Sequence, residues 1–87
     1  YTNLNTLSLH DALPIWLPNI HQEVKCVEKL NVYDAYNQAN RDAKVAGKGE
    51  IPIVAWKRKY KPFLVVMSAD DFFRIYRESE WSNENGN

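Results

Sequence analysis

A run of apolar residues at helical spacing, which we call the helical repeat, lies between strand-like segments. It constrains the fold of this chain more than any other feature. Asn31 is a typical helix N-cap residue, and Asp34 stands at the third position after it. Gly47 and Gly49 follow the repeat and are suited to ending a helix. The repeat predicts a helix at about residues 32–46. Its apolar members, at helical spacing, are Val32, Ala35, Tyr36, Ala39, Ala43 and Ala46.

Strand-like segments precede and follow this helix. Alternating apolar and polar side chains predict a strand at 23–27. After the helix, apolar runs at 52–56 and 63–67 flank a basic turn, which is typical of a β-hairpin. A Ser-x-x-Asp capping signal at 68–71 predicts a last helix at about 69–79. The sequence therefore predicts an α/β fold: a mixed three-stranded sheet with two helices, in the order strand, helix, strand, strand, helix.

The first strand carries the motif Glu23-Val24-Lys25. Residues two apart in a strand point to the same face, so the carboxylate and the ammonium share one face, and we expect Val24 and Cys26 on the opposite, core-side face. An acid that can hold a divalent metal beside a cation that can stabilise negative charge suits metal-assisted phosphodiester hydrolysis. A solvated strand face with no chemistry is the alternative, and the motif alone does not exclude it.

Length and charge bound the possible functions. A chain of 87 residues with 45% hydrophobic content allows one small globular domain. Its 11 basic and 11 acidic residues balance, so no global positive field attracts nucleic acid. A local basic cluster at the hairpin turn is suited to phosphate contacts, or is a solvated turn that protects a sheet edge. Its members are Lys57, Arg58, Lys59 and Lys61.

Cysteine content and hydropathy add two expectations. Cys26 is the chain's one cysteine, so we expect no intrachain disulfide and no zinc cluster. No apolar run approaches the length of a membrane span, and no signal peptide is visible. We therefore expect a cytoplasmic location and no membrane partner.

Six short segments carry a pattern in their order and spacing. They are EVKCVEKLN at 23–31, YNQA at 36–39 with DA at 42–43, GEIPIV at 49–54, KPFLVV at 61–66 and DDFF at 70–73. In this pattern the region from about 18 to 77 resembles the small PD-(D/E)xK nucleases of phages, especially the Holliday-junction-resolvase-like branch. The resemblance implies a restriction-endonuclease-like core.

The resemblance also implies roles for particular residues. Glu23 matches the acidic metal ligand, the carbonyl of Val24 matches a further ligand, and Lys25 matches the lysine that orients the attacking water and stabilises the phosphorus. The implied cofactor is Mg²⁺ or Mn²⁺. Gln38 matches a glutamine that many members point toward this site. On a helical wheel Gln38 flanks the apolar repeat, so an ordinary boundary residue is an equal alternative.

The chain departs from the family upstream of this motif. Members carry another acid on a preceding strand, and the acid that precedes Glu23 here is Asp11. Residues 6–15 match the translation of one reading frame of a common sequencing-library adapter, so we expect 1–15, including His10 and Asp11, to be a non-native scar. We expect the truncated domain at 16–81 and a frayed polar tail at 82–87. With one convincing carboxylate, the 87-residue chain is expected to be an inactive fragment of a metal-dependent DNA endonuclease.

Three functional hypotheses follow. The first is the endonuclease just described, acting on DNA, with four-way junctions, flaps and linear duplex all open as substrates; the resemblance implies a homodimer for the full-length parent. The second is a non-catalytic nucleic-acid-binding module that uses the basic turn. The third is a small α/β interaction module.

Overall fold

The described part of the chain is residues 16–83 of a computed structural model. Its elements, in chain order, are β1 (Ile20–Cys26), α1 (Val32–Ala46), β2 (Ile51–Lys57), β3 (Leu64–Val66) and α2 (Ala69–Arg77), followed by a 3-10 turn (Glu80–Asn83). This confirms the expected α/β order of strand, helix, strand, strand, helix. The expected scar at 1–15 and the tail residues 84–87 lie outside the described residues.

The three strands form one mixed sheet in the order β1-β2-β3. β1 and β2 are parallel, and their register pairs Glu23 with Val54 and Lys25 with Trp56. β2 and β3 are antiparallel, as the hairpin prediction requires. Parallel neighbours need a crossover connection, which α1 supplies.

The element boundaries differ from the sequence expectation by a few residues. β1 begins at Ile20, three residues earlier than expected, and so includes His21. β3 has only three residues, and α2 ends at Arg77. The hydroxyl of Ser82 donates to the carbonyl of Arg77 at 2.9 Å, so Ser82 belongs to the 3-10 turn and not to a frayed tail.

The helix ends follow the expected capping chemistry. The side chain of Asn31 accepts a hydrogen bond from the amide of Asp34 at 3.0 Å. Gly47 ends α1 in the left-handed conformation, with φ at 68°. The hydroxyl of Ser68 accepts from the amide of Asp71 at 3.1 Å. These bonds satisfy backbone groups that a helix end would otherwise leave without partners.

The hydrophobic core lies between α1 and the sheet. Its buried centre is Ala35, Ala39 and Val54, with Trp56 packed against it. Register partners share a face of the sheet, so α1 covers the same face that carries Glu23 and Lys25. The sequence analysis placed the core on the opposite face. Ile53 and Ala55 on that opposite face are buried too, so both faces of β2 are enclosed. The Glu23-Val24-Lys25 motif of β1 lies beside the core, on the face that α1 covers.

The last helix packs less tightly. Phe72 contacts Phe73 and Tyr76 through their rings, with centroids 5.8 Å and 6.3 Å apart. No residue of α2 is buried, and about half of the Phe73 side chain's surface, 53%, is exposed. Among the described residues no helix is both long and apolar enough to cross a membrane.

Candidate functional site

The site is built on the face of β1 that α1 covers. The period of a strand places His21, Glu23 and Lys25 on this face. No strand within residues 16–83 pairs with the outer edge of β1, because β1 is the first strand in the sheet order. The polar side chains therefore stand on the edge strand of the described sheet, with the helix on one side.

Lys25 contacts the helix through Gln38. The ammonium of Lys25 donates a hydrogen bond to Gln38 Oε1 at 3.4 Å. The expectation that Gln38 faces the Glu23 and Lys25 side is confirmed, and the far side of the helix is excluded for it. At 3.4 Å the bond is long and weak. The contact therefore orients the lysine without consuming all three of its donors.

Glu23 pairs with a residue that the sequence analysis did not single out. Nε2 of the His21 ring and Oε2 of Glu23 lie 3.0 Å apart, within hydrogen-bond distance. A carboxylate from α1, that of Asp42, joins this pair: one ligand atom from each of the three residues lies within 4.8 Å of the other two. The structure thus groups an imidazole and two carboxylates where the sequence analysis found one carboxylate.

A third carboxylate lies behind the imidazole. Nδ1 of His21 is 3.9 Å from Glu50 Oε1, so the ring stands between Glu50 and Glu23. The side chains of His21 and Glu23 are 22% and 26% exposed, and Asp42 lies at the surface. Solvent therefore reaches the group from one side, while its base is held by the sheet.

The four basic residues of the turn differ in exposure. Lys57 is buried, so it is not placed for the expected phosphate contact. Lys57 is 8% exposed. Its ammonium donates to the carbonyl of Lys61 at 2.6 Å and to that of Arg58 at 3.3 Å. Its charge thus stabilises the turn from inside, because buried ammonium groups require such acceptors. The sequence shows that Lys57 is charged, but it does not show that its side chain points into the turn.

The other basic residues are exposed but partly neutralised. Arg58 Nε lies 3.5 Å from a carboxylate oxygen of Glu28, and the amide of Lys59 donates to the same carboxylate at 2.6 Å. This amide hydrogen bond is the main reason that the pKa of Glu28 is lowered, and the charge of Arg58 lowers it further. Lys59 Nζ lies 5.4 Å from the ring centroid of Tyr60. Lys61 is exposed.

The basic turn lies beyond the end of the site that holds Lys25. In the sheet Lys25 lies beside Trp56, and Glu23 lies beside Val54. Along the chain, Arg58 comes two residues after Trp56 and four residues after Val54. At about 3.3 Å per residue these steps are roughly 7 and 13 Å. Lys25 therefore stands between the carboxylate group and the basic turn.

Two members of the group escaped the sequence analysis. His21 lay outside the expected strand, but the two-residue alternation from Glu23 back to His21 was a usable signal. Asp42 stands one helical turn after Gln38 and so on the same helix face. Val24 occupies β1 between Glu23 and Lys25 as expected, and a ligand role for its carbonyl stays a prediction.

Comparisons of the chain with protein-family models, with curated proteins and with solved structures gave no match.

Proposed function

We propose that this site hydrolyses phosphodiester bonds of DNA in a metal-dependent reaction, with Glu23 as a metal ligand and Lys25 as the cation that stabilises the phosphoryl group. The observation that carries the proposal is the convergence of Glu23, Lys25 and Gln38 on one face of the sheet edge. Convergence of an acid, a cation and an orienting amide is what a hydrolytic site requires.

The chemistry of Lys25 supports this role. Its ammonium has two further donors beyond the bond to Gln38. A phosphate beside β1 would accept those donors, and the ammonium would stabilise the negative charge that develops on it. Gln38 restricts the position of the ammonium, which reduces the reorganisation needed in the transition state.

The residues present fit a hard divalent cation. Mg²⁺ is commonly held by one or two carboxylates together with substrate phosphate and water, and Glu23 and Asp42 supply two carboxylates within 4.8 Å of one another. When bound, Mg²⁺ or Mn²⁺ supplies Lewis-acid stabilisation of a phosphoryl oxygen. The expectation of inactivity rested on a count of one carboxylate, and the position of Asp42 removes that reason.

The test is cleavage of branched and linear DNA by the 87-residue chain with Mg²⁺ or Mn²⁺, with and without EDTA. We expect EDTA-sensitive cleavage by the wild type. Lys25→Met keeps the aliphatic stem and removes the charge, and should lower the rate by about a hundredfold or more, the usual effect of removing one electrostatic stabiliser. Lys48→Ala is the matched control, because Lys48 is an exposed lysine in the turn after α1; its rate should equal that of the wild type.

Circular dichroism and thermal unfolding establish that each variant is folded. Wild-type rates in folded Lys25→Met, or cleavage that persists in EDTA, would contradict the proposal. The comparison of branched with linear DNA identifies the substrate. The homodimer and the cytoplasmic location expected from the sequence stay predictions.

The second candidate is the non-catalytic nucleic-acid-binding module. It is favoured by the exposed part of the basic turn, Arg58, Lys59 and Lys61, and weakened by the contact of Arg58 with Glu28. Under this alternative no variant cleaves DNA, and the double variant Lys59→Ala with Lys61→Ala lowers the affinity for DNA and the salt dependence of binding.

A further inference from the structure

The group of His21, Glu23 and Asp42 has a composition that distinguishes between metals. It offers one imidazole nitrogen and two carboxylate oxygens. Mg²⁺ is bound almost entirely by oxygen ligands, whereas imidazole suits first-row transition ions such as Zn²⁺. We propose that these three residues form a binding site for a first-row transition-metal ion, with Zn²⁺ preferred to Mg²⁺. This inference rests on the proposed function, because it concerns the metal ion bound at the same site, which includes Glu23 and Asp42.

The distances within the group are compatible with this ion. Ligand atoms at 2.0–2.2 Å from a tetrahedral zinc stand roughly 3.3 Å apart. His21 Nε2 and Glu23 Oε2 already lie 3.0 Å apart. A carboxylate oxygen of Asp42 lies within 4.8 Å of a ligand atom of each of these two residues. Because Asp42 is exposed, its side chain can close the remaining gap by a rotamer adjustment, while the two strand residues keep their positions.

Glu50 provides an independent indication. Histidines that bind metals usually direct the other ring nitrogen toward a carboxylate, which orients the ring and raises its basicity as a ligand. Here Nε2 of His21 faces Glu23 and Nδ1 faces Glu50 at 3.9 Å. A metal at Nε2 requires the tautomer with the proton on Nδ1, and Nδ1 is the nitrogen that faces the Glu50 carboxylate.

The ligand count leaves room for substrate. Catalytic zinc sites keep three protein ligands and one open position. The group supplies three described ligands; it lies on the edge strand of the described sheet, and Asp42 is exposed. Lys25 follows Glu23 on the same face, about 7 Å further along the strand. A phosphate at the open position would thus be within reach of Lys25.

The test is isothermal titration of the 87-residue chain with ZnCl₂ and, separately, with MgCl₂. We expect Zn²⁺ to bind with a stoichiometry of one and at least about tenfold more tightly than Mg²⁺. His21→Ala should reduce this preference markedly, because the imidazole that favours Zn²⁺ is removed and only oxygen ligands remain. Asp42→Asn should weaken both ions. Glu50→Gln, which removes no ligand, should weaken Zn²⁺ binding by about 10- to 100-fold.

Matched controls identify binding elsewhere in the chain. His10→Ala removes the second of the two histidines and Cys26→Ser the one cysteine. Asp70→Asn removes an exposed carboxylate from α2. All three should bind Zn²⁺ as the wild type does. Absence of Zn²⁺ binding, a preference for Mg²⁺, or an unchanged Zn²⁺ preference in His21→Ala would overturn the inference.

The same titrations separate this inference from the proposed function. Lys25→Met keeps all three ligands and should bind Zn²⁺ with wild-type affinity even though its cleavage is lost. Zn²⁺ binding that depends on His21, in a chain that cleaves no DNA, would contradict only the hydrolytic function. Cleavage that depends on Lys25 and Mg²⁺, with no effect of His21→Ala on the choice of metal, would contradict only the metal assignment.

Discussion

The ammonium of Lys25 donates to Gln38 Oε1 across the gap between β1 and α1. The contact joins a residue of the strand motif to a helix residue 13 positions later in the chain. The sequence left two roles open for Gln38, a functional one and that of a boundary residue. A variant at Gln38 therefore tests whether this contact matters for the function of Lys25.

Gln38→Ala distinguishes these roles. If Gln38 positions Lys25, the DNA cleavage rate should fall about three- to tenfold, since an exposed hydrogen bond contributes on the order of 1 kcal/mol. The free energy of unfolding should stay near the wild-type value. Asn37→Ala, at an exposed neighbouring position of α1, is the matched control. A boundary residue would leave cleavage unchanged in both variants.

Val54 is the centre of the core, and its truncation should be costly. Val54 is 0% exposed and Val65, on β3, is 59% exposed. Val54→Ala removes two buried methyl groups and leaves a cavity, so we expect a loss of about 2 kcal/mol in the free energy of unfolding. Val65→Ala makes the same chemical change at an exposed position and should cost less than about 0.5 kcal/mol. Urea denaturation measures both, and equal losses would show that this core is misassigned.

Gly47 should be needed for its backbone conformation rather than for space. Its φ is +68°, and an added Cβ would approach no atom closer than 3.9 Å. Gly47→Ala should therefore cost roughly 1–2 kcal/mol of stability from left-handed strain alone. Asn tolerates this conformation better, so Gly47→Asn should cost less. Thermal unfolding of the two variants tests the order, and a less stable Asn variant would contradict the explanation.

Glu28 should titrate below its ordinary pKa of 4.5, chiefly because the Lys59 amide donates to its carboxylate. A depressed pKa in the folded state stabilises the fold above the unfolded pKa, and this contribution is lost as the pH falls through the folded value. Carbon-detected NMR titration measures the folded pKa. In Arg58→Ala it should rise but stay below 4.5, since the amide bond remains. Full return to the ordinary value would make Arg58 the main cause. Glu28→Gln should reduce the loss of stability in acid.

Much of the local structure was predictable from the sequence. The cap at Asn31, the cap at Ser68 and the left-handed Gly47 act within one turn of their own helices, so short-range patterns identify them. The alternation in β1 likewise placed Glu23 and Lys25 on one face. Pairing with other elements decided the strand lengths, which is why β1 and β3 differ from their expected bounds.

The direction of Lys57 was not predictable in the same way. Sequence shows four basic residues at the hairpin, and only the folded turn supplies the two carbonyls that hold the ammonium of Lys57 inside. The position of the core was likewise undecided, because β2 is apolar on both faces and the register with β1 determines which of them α1 covers.

The sequence by itself determined the order of the elements, their caps and the strand motif Glu23-Val24-Lys25. Only the tertiary structure decided which residues join that motif. α1 runs back across β1, and one helical turn of about 5.4 Å is close to two strand residues of about 6.6 Å. Gln38 therefore meets Lys25, and Asp42, one turn later, meets His21 and Glu23. This match depends on the direction of a crossover helix and on register, which arise from packing over long sequence separations.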